Sequence, residues 1–504
     1  MNTDLNIEPE PIPTRAGTLA VVDIGSNSIR LVVYDRQHGG AAPMFNEKVL
    51  CGLGRGMAKT GKLNPDGVKL ARDNLVRFTR LAHALGVERI DLLATAAVRE
   101  AEDGPAFSTE VEALTGHPVR VLSGQEEARL SALGVVAGFT DPHGIVGDLG
   151  GGSLELVELT HGRPGRSISL PLGPLKLIES CGSKEADIAR EVDRQLGEVD
   201  WLQQVHGTGT FFAVGGAWRN LARINIDQRG YPLHVIHGYH MRRDEIDGLS
   251  AVIGRQSKRS LSRIKGVTKA RLEILPTASV ILSRLVRILG CDEVRFSAFG
   301  LREGYAFDLL PASEQELDPL LTACTAIAHR DVRFDDMGEP LMAWTDPLFP
   351  REPAAARRLR HASCLLSDIA WREHPDYRSS QALFRILHYP FTGLSHVERA
   401  CLGLAAYIRY GGSADSADFK PYQSLLSAED YRAVQILGLA QRLAYQLSGA
   451  SREVLAQCAL RLDDEGGLQL LLPKDGTVPV GEAAERRLVA LAEALETSAY
   501  VVGG

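Results

Sequence analysis

Cysteine pairs, long apolar runs and a surplus of positive charge are all missing from this chain, and each absence excludes a class of protein. The seven cysteines, at positions 51, 181, 291, 324, 364, 401 and 458, form no CxxC pair. That argues against a disulfide framework and against a zinc site built on thiolates. No stretch approaches the roughly 18–20 consecutive apolar residues that cross a bilayer, so no membrane association is expected. The opening MNTDLNIEPEPIPTRAG is acidic, contains proline and lacks an apolar core. Residues 1–16 therefore read as a flexible arm rather than a signal peptide, which points to the cytoplasm. A formal net charge of −7 gives no general attraction to nucleic acid or acidic lipid, and no nucleic-acid partner is expected. A polyanionic ligand would need local basic patches.

What is present is the composition of an ordinary globular chain, 44% hydrophobic and 24% charged over 504 residues. That length is enough for about two to four domains. From Gly17 onward β-branched runs alternate with amphipathic stretches. TLAVVDIGSNSIRLVVYD (18–35) reads as two strands around a small-residue turn, 65–86 as a helix closed by glycine, and 89–101 and 118–136 as strand-then-helix units. Such alternation indicates α/β architecture. An internal repeat sharpens the reading: VVDIGSNSIRLVV and IVGDLGGGSLELVE align Asp23 with Asp148, Gly25 with Gly150 and Ser28 with Ser153. Two related α/β lobes are expected, 17–140 and 141–310, each presenting one aspartate-bearing hairpin to a shared cleft. Beyond residue 310 the Ala/Leu/Arg-rich stretches 354–373, 397–410 and 432–450 carry few strand signals, so 311–504 is expected to be mostly helical.

The hairpins are the first candidates for chemistry. Small residues in the turns Gly25-Ser26-Asn27-Ser28 and Gly150-Gly151-Gly152-Ser153 let backbone N–H groups converge on an anion. An aspartate at each strand end, Asp23 and Asp148, suits Mg²⁺ ligation, directly or through water. One copy alone would read as an ordinary tight hairpin; two aligned copies favour a site. In SGQEEARLSALG, Ser123 fits an N-cap, and acidic residues in a first helical turn favour the helix dipole whatever their function. The position of Glu126 and Glu127 just ahead of the second hairpin nevertheless makes them candidates for a general base. Arg99 follows a strand, where α/β sheets bind ligands, and would clamp phosphate oxygens; a surface ion pair with Glu100 or Glu102 is the alternative. AVGGAWRNLARI (213–224) sets a glycine pair at a helix start, a weak phosphate signal. Between Arg255 and Arg271 the basic residues, among them Arg263, Lys265, Lys269 and Arg271, occur without an acidic one. They would hold a polyphosphate or a guanosine tetraphosphate, with a solvated helix face as the default.

Two patterns are decoys. GMAKTGKL (56–63) approaches a Walker A loop but has Leu63 where Mg²⁺ binding needs Ser or Thr. In the C-terminal region His361, Asp368, His374 and His388 make no adjacent His-Asp pair, and no metal is expected there.

In order along the chain, DIGSNSIRLVVYD, GLGRGMAKTGKL, ATAAVREA, VLSGQEEARL, VGDLGGGSLELVE, AVGGAWRNLAR and FSAFGLREGYAFD resemble the exopolyphosphatase/guanosine pentaphosphate phosphatase family of the actin-like ATPase superfamily. The resemblance covers about residues 18–310. The C-terminal part is similar to HD-type phosphohydrolases, with Ser367 where such an enzyme has its metal-binding histidine. This resemblance implies two actin-like (ribonuclease H-like) lobes flanking a cleft, plus an HD-like helical domain whose metal motif is degenerate. It implies a first phosphate loop at Asp23, Gly25, Asn27 and Ser28, and a second at Asp148, Gly150, Gly151, Gly152, Ser153 and Glu155. It also implies Asp148 and Glu155 at Mg²⁺, Glu127 as general base and Arg99 as a phosphate-binding arginine. Mn²⁺ or an additional monovalent cation are alternatives for the cofactor. The implied reaction is release of orthophosphate from the end of inorganic polyphosphate, by a homodimer. Rival readings are a guanosine pentaphosphate 5′-phosphohydrolase, a non-catalytic sensor and a sugar or acid kinase. Retention of Glu127, Asp148 and Glu155 disfavours the sensor, and the motif order disfavours the kinase.

Overall fold

The computed structural model describes residues 15–36, 42–205, 207, 209–255, 258–261, 272–331, 333–474, 476–478 and 480–503. They form two compact units. One holds the described residues up to Gly230 together with Ile236–Leu317; the other holds Tyr231–Val235 and the chain from Asp318 onward.

The first unit contains two sheets of the same design. In the first lobe, β1 (Arg15–Ile24), β2 (Ile29–Asp35), β3 (Ala42–Val49), β4 (Val87–Ala94) and β5 (Val119–Val121) lie in the order β3-β2-β1-β4-β5. In the second, β6 (Gly144–Leu149), β7 (Leu154–Thr160), β8 (Arg163–Leu170), β9 (Thr210–Val214), β10 (His240–Arg242) and β11 (Glu293–Phe296) lie in the order β10-β11-β9-β6-β7-β8. Leaving out the edge strand β10, the second order reproduces the first. Each lobe begins with an antiparallel hairpin, and the first strand of that hairpin then pairs in parallel with the next strand inward. The middle strands are buried on both faces, as their continuous apolar runs require: Leu19, Ala20, Val21 and Val22 of β1 have no exposed surface. β1 starts at Arg15, two residues earlier than the sequence pattern suggested.

One helix ties the lobes together. Gly124–Gly138 sets Leu130 against Leu19, Val21 and Leu93 of the first sheet, and Ala128, Ala132 and Val135 against Val146, Val157 and Phe212 of the second. Crossing it is the Leu301–Asp308 helix, and the crossing is made through glycines. A β-carbon added at Gly304 would lie 1.8 Å from the Leu130 carbonyl oxygen and 2.6 Å from the Gly134 nitrogen. Only a residue without a side chain permits this approach.

The second unit is built from helices that include Pro319–Arg330, Ala354–Leu366, Arg378–His388, His396–Arg409 and Ala428–Ser448. It departs from the mostly helical expectation in one respect. A three-stranded sheet, β12 (Ala459–Leu462), β13 (Leu468–Leu471) and β14 (Ala499–Val502), closes its C-terminal end, with the Glu482–Leu495 helix between the last two strands in sequence. Leu460, Leu468 and Leu470 of this sheet pack with Leu443, Leu488 and Leu491 in one core. Among the described residues no helix is long and apolar enough to cross a membrane.

Because Gly304 fixes the seat of the helix that joins the lobes, Gly304→Ala is expected to destabilise the first unit by about 3 kcal/mol through overpacking. A denaturant titration followed by circular dichroism reads this as a lowered midpoint; an unchanged midpoint would show that the helices separate without cost.

Candidate active site

The two repeated hairpins close in the same way. The Gly25 amide donates to the Ser28 carbonyl at 3.1 Å, and the Gly150 amide to the Ser153 carbonyl at 3.0 Å. The turns are neighbours: a β-carbon built on Gly151 would sit 3.5 Å from Ser26 Cβ, and one on Gly152 would sit 3.7 Å from Ser26 Oγ. Beside them lies a cavity of about 140 Å³ whose wall includes Ser26, Gly54, Ala97, Gly151, Gly152 and Lys176. Gly61 and Met57 of the false Walker A segment line it too.

Asp23 and Asp148 sit at equivalent places, one residue inside the end of β1 and of β6. Their surroundings have diverged. Across the hairpin Asp148 faces Glu155, which in turn faces Ser169 of β8. In the other lobe Asp23 faces Arg30, which faces Lys48 of β3. The second lobe thus carries an acidic row where the first carries a basic one.

The inter-lobe helix adds the fourth carboxylate of this region, and its two adjacent glutamates have opposite fates. Glu126 completes a capping box with Ser123 and pairs with Arg120, which pull its carboxyl down to about 2. Glu127 points inward and is 8% exposed. Its Oε2 accepts a hydrogen bond from Arg99 Nη1 at 2.9 Å, and the same nitrogen donates to the Leu122 carbonyl at 2.8 Å. Burial pushes the Glu127 carboxyl up to about 7; Arg99 opposes the rise, and the charges of Asp148 and Asp23 add to it. Glu155, fully enclosed, is pushed well above its ordinary value by burial and then by Glu127 and Asp148, while Ser169 Oγ donates to it at 2.8 Å. Asp148 is raised by burial, with Ser131 Oγ donating to it and Arg219 opposing the shift. Asp23 is also raised by burial, against the pull of Arg302 and Arg30. Four carboxylates therefore share one poorly solvated space and feel one another's charge.

Arg302 is the counterweight. Its Nη1 donates to Asp23 Oδ2 at 3.1 Å, and the side chain is 11% exposed. Next to it, burial would raise the Glu303 carboxyl, but Arg302 and the Gly300 amide hold it below its usual range. Tyr34 Oη donates to the same carboxylate at 2.9 Å.

Thus Asp23, Arg99, Glu127, Asp148, Glu155 and the turn residues Gly25–Ser28 and Gly150–Ser153 lie in one region of the first unit. The short contact of Arg99 is to Glu127, with Glu100 farther off at 4.0 Å. The calls at Arg263, Lys265, Lys269 and Arg271 lie outside the described residues. Among the described residues no group of three or more His, Cys, Asp or Glu side chains is assembled tightly enough to hold a metal ion unaided. Sequence reasoning missed Arg302, Arg219, Ser131 and Ser169. The signal for Arg302 was available, since FSAFGLREG places it just after a strand and a glycine, at a helix start. Ser131 is four residues beyond Glu127 on the same helix face, which was also readable.

A family model described as the Ppx/GppA phosphatase family matches residues 32–313, and one described as exopolyphosphatase, C-terminal, matches residues 320–501. Exopolyphosphatase 1 of Mycobacterium leprae is 28% identical over 333 residues, covering 62% of this chain and 94% of its own. Retrograde regulation protein 2 of Saccharomyces cerevisiae is 26% identical over 448 residues, covering 80% of this chain and 74% of its own. Among solved structures, the Aquifex aeolicus Ppx/GppA family member matches with a TM-score of 0.50 at 25% identity, over 57% of this chain and 95% of that one. The exopolyphosphatase from Cytophaga hutchinsonii matches in fold, with a TM-score of 0.53 at 20% identity, over 57% of this chain and 96% of its own.

Arg302 tests the electrostatic account directly. Arg302→Gln leaves Asp23 and Glu303 buried without their cation, and breaking such a pair is expected to cost about 3 kcal/mol. Chemical denaturation measures this; a stability equal to that of the unaltered chain would mean that Arg302 does not balance the carboxylates.

Proposed function

Because this chain belongs to the Ppx/GppA phosphatase family, we propose that it releases orthophosphate from the end of inorganic polyphosphate, with Glu127 as the general base that activates water. The observation that carries this reading is Glu127 itself. It is a buried carboxyl held at about 7, fixed by Arg99, beside two glycine-rich turns. A base poised near neutrality can take a proton from water while about half of it is ionised near pH 7.

Phosphoryl transfer asks little covalent chemistry of a protein; positioning and charge stabilisation dominate. The amides of Ser26–Ser28 and Gly151–Ser153, beyond those that close the turns, cradle the terminal phosphate. Arg99 fixes the Glu127 carboxyl through Oε2, so that Oε1 accepts the water proton as oxygen attacks phosphorus in line with the departing chain. Arg30 and Lys48 give the remaining phosphates a basic row to lie along. The cavity of about 140 Å³ is well below the roughly 300–1,000 Å³ of sites that enclose an organic ligand. That size supports an unadorned phosphate end over a guanosine nucleotide.

Asp148 and Glu155 fit a hard divalent cation, since they are buried oxygen donors, the charge of Asp148 raises Glu155, and neither forms an ion pair among the described residues. With Asp23 they would hold Mg²⁺, directly or through water. When bound, the ion supplies charge neutralisation at the terminal phosphate. The same reading carries a homodimer in the cytoplasm, supported by the family resemblance; light scattering tests its size.

With Mg²⁺ present, orthophosphate release from long-chain polyphosphate is expected to exceed that from guanosine pentaphosphate, and chelation should abolish both. The reverse preference would replace the substrate. Glu127→Gln is expected to lose at least about 10²-fold in kcat, the lower bound for general-base help; undiminished turnover removes Glu127 from the mechanism. The base must be ionised, so kcat/KM falls as pH drops below the Glu127 value. Arg99 holds that value down, so in Arg99→Met the acid limb should move to higher pH. A limb that stays in place, or moves to lower pH, would dissociate Arg99 from the base.

A further inference from the structure

The second unit contains a charged cavity of its own, and its charge is opposite in sign. A space of about 250 Å³ is bordered by Arg333, Arg378, Arg409, Arg442 and Arg487. They come from separate segments: Arg409 ends the His396–Arg409 helix, Arg442 lies on Ala428–Ser448, and Arg487 on Glu482–Leu495. One carboxylate, Asp368, answers two of the five. Arg333 Nε and Nη2 donate to it at 2.9 and 2.8 Å, and Arg409 Nη2 at 2.8 Å. The other three meet no carboxylate among the described residues. Arg378 gives Nε to the Glu373 carbonyl, Arg487 gives Nη1 to the Gln446 amide oxygen, and Arg442 makes no hydrogen bond or ion pair there. Arg409 is clamped between Tyr410 and Tyr445, its guanidinium carbon 3.9 and 3.7 Å from their ring centres, and its buried Nε has no hydrogen-bond partner.

Such a concentration of guanidinium groups is unfavourable unless an anion joins it. Burial and the nearby charge of Arg409 lower the Arg442 value, and Arg487 is lowered by burial and by Arg442 and Arg409. Folding would not gather these groups for packing alone, because each loses hydration and gains repulsion. Guanidinium forks match phosphate oxygens in pairs.

We propose that this arginine cavity binds a short run of phosphate groups, a diphosphate or triphosphate or the end of a longer chain, and does so without a metal ion. The groups that would have to ligate a metal are already engaged. Asp368 is held by two arginines, and Ser367 Oγ bonds to the Cys364 carbonyl at 2.6 Å and to the Tyr445 hydroxyl at 2.9 Å. The phosphate run is either free or the tail of a nucleotide, and two features favour the free form. The volume falls below that of pockets that enclose a whole organic ligand. The aromatic rings are already faced by guanidinium: Arg409 covers Tyr410 and Tyr445, and Arg372 stands 4.9 Å from the Trp371 ring centre. This site is independent of the hydrolytic reading of the first unit and stands if that reading fails.

The test is calorimetric titration of inorganic triphosphate into the full chain carrying Glu127→Gln, which prevents turnover, in excess EDTA. Binding is expected in the absence of metal. Adding Arg442→Gln and Arg487→Gln should weaken one class of sites by about tenfold or more for each charge-assisted contact removed. An isotherm indifferent to these two substitutions, or binding that requires Mg²⁺, overturns the proposal. Thermal melts identify a variant that fails to fold; the single Arg487→Gln, at the half-exposed rim, then carries the test with the same tenfold expectation. ATP in place of triphosphate separates the two sources. Weaker or equal binding identifies a free phosphate run and tighter binding a nucleotide tail, provided that the same arginines are required.

Discussion

Four carboxylates held in one poorly solvated region govern the first unit: burial raises the proton affinity of Asp23, Glu127, Asp148 and Glu155, and the charges of Asp23 and Asp148 add to that of Glu127. Left to itself such a cluster would open to water or take up protons, since an unpaired buried charge costs several kcal/mol. The surrounding structure prevents the first and limits the second. The inter-lobe helix is wedged between two sheets, so Glu127 and Ser131 cannot withdraw without unpacking Leu130 from one side or Val135 from the other. Arg99, Arg219 and Arg302 oppose the repulsion from three directions, and each arises from a different part of the fold. The unit therefore stores an unmet demand for positive charge at the place where its two glycine-rich turns meet. A divalent cation would meet that demand, and a phosphate chain could then approach a region that would otherwise repel it.

The duplication of the lobes explains how such a site arises from simple parts. Both lobes supply an aspartate, a small-residue turn closed by the same amide-to-carbonyl bond, and a third strand beside the hairpin. The backbone was kept while the charges separated. Opposite Asp148 stands Glu155, and opposite Asp23 stands Arg30. One step further out are Ser169 and Lys48. A symmetric pair of acidic rows would exclude phosphate, and a symmetric pair of basic rows would exclude the cation. Only the divergent pair can accommodate both at one cleft.

The hairpins were readable because their information is local. A strand's period, a small-residue turn and an aspartate fall within about a dozen residues, and the repeat states them twice. The pair Glu126 and Glu127 was only half readable. A capping box accounts for an acidic residue in a first turn, and burial alone separates Glu127 from its neighbour. Arg302 escaped because its partner Asp23 lies 279 positions away in the chain. GMAKTGKL departs from a Walker A loop at Leu63, yet Met57 and Gly61 line the cavity beside the turns, a contact that no motif encodes. The strands β12, β13 and β14 are four residues each, too short for alternation to emerge against Ala/Leu-rich helices, and β13 and β14 are joined only after a helix has intervened.

If a chain of net charge −7 is to bind a polyanion, it cannot rely on its overall field, so attraction has to be local. The two units meet that requirement by opposite means. In the first, acidic residues predominate and guanidinium groups restrain them, so that phosphate chemistry depends on a cation that can be supplied and lost. In the second, five arginines border one cavity and only two of them are paired with an aspartate, so that the proposed anion would itself be the missing partner. Hydrolysis needs the first arrangement, because a base must remain free among the charges to take a proton from water. Retention needs only the second, because arginine stays protonated across the physiological range and its fork grips phosphate without assistance. Asp368, held by Arg333 and Arg409, and Ser367, bonded to the Tyr445 hydroxyl, are thereby committed to the wall-forming side chains rather than left open as ligands.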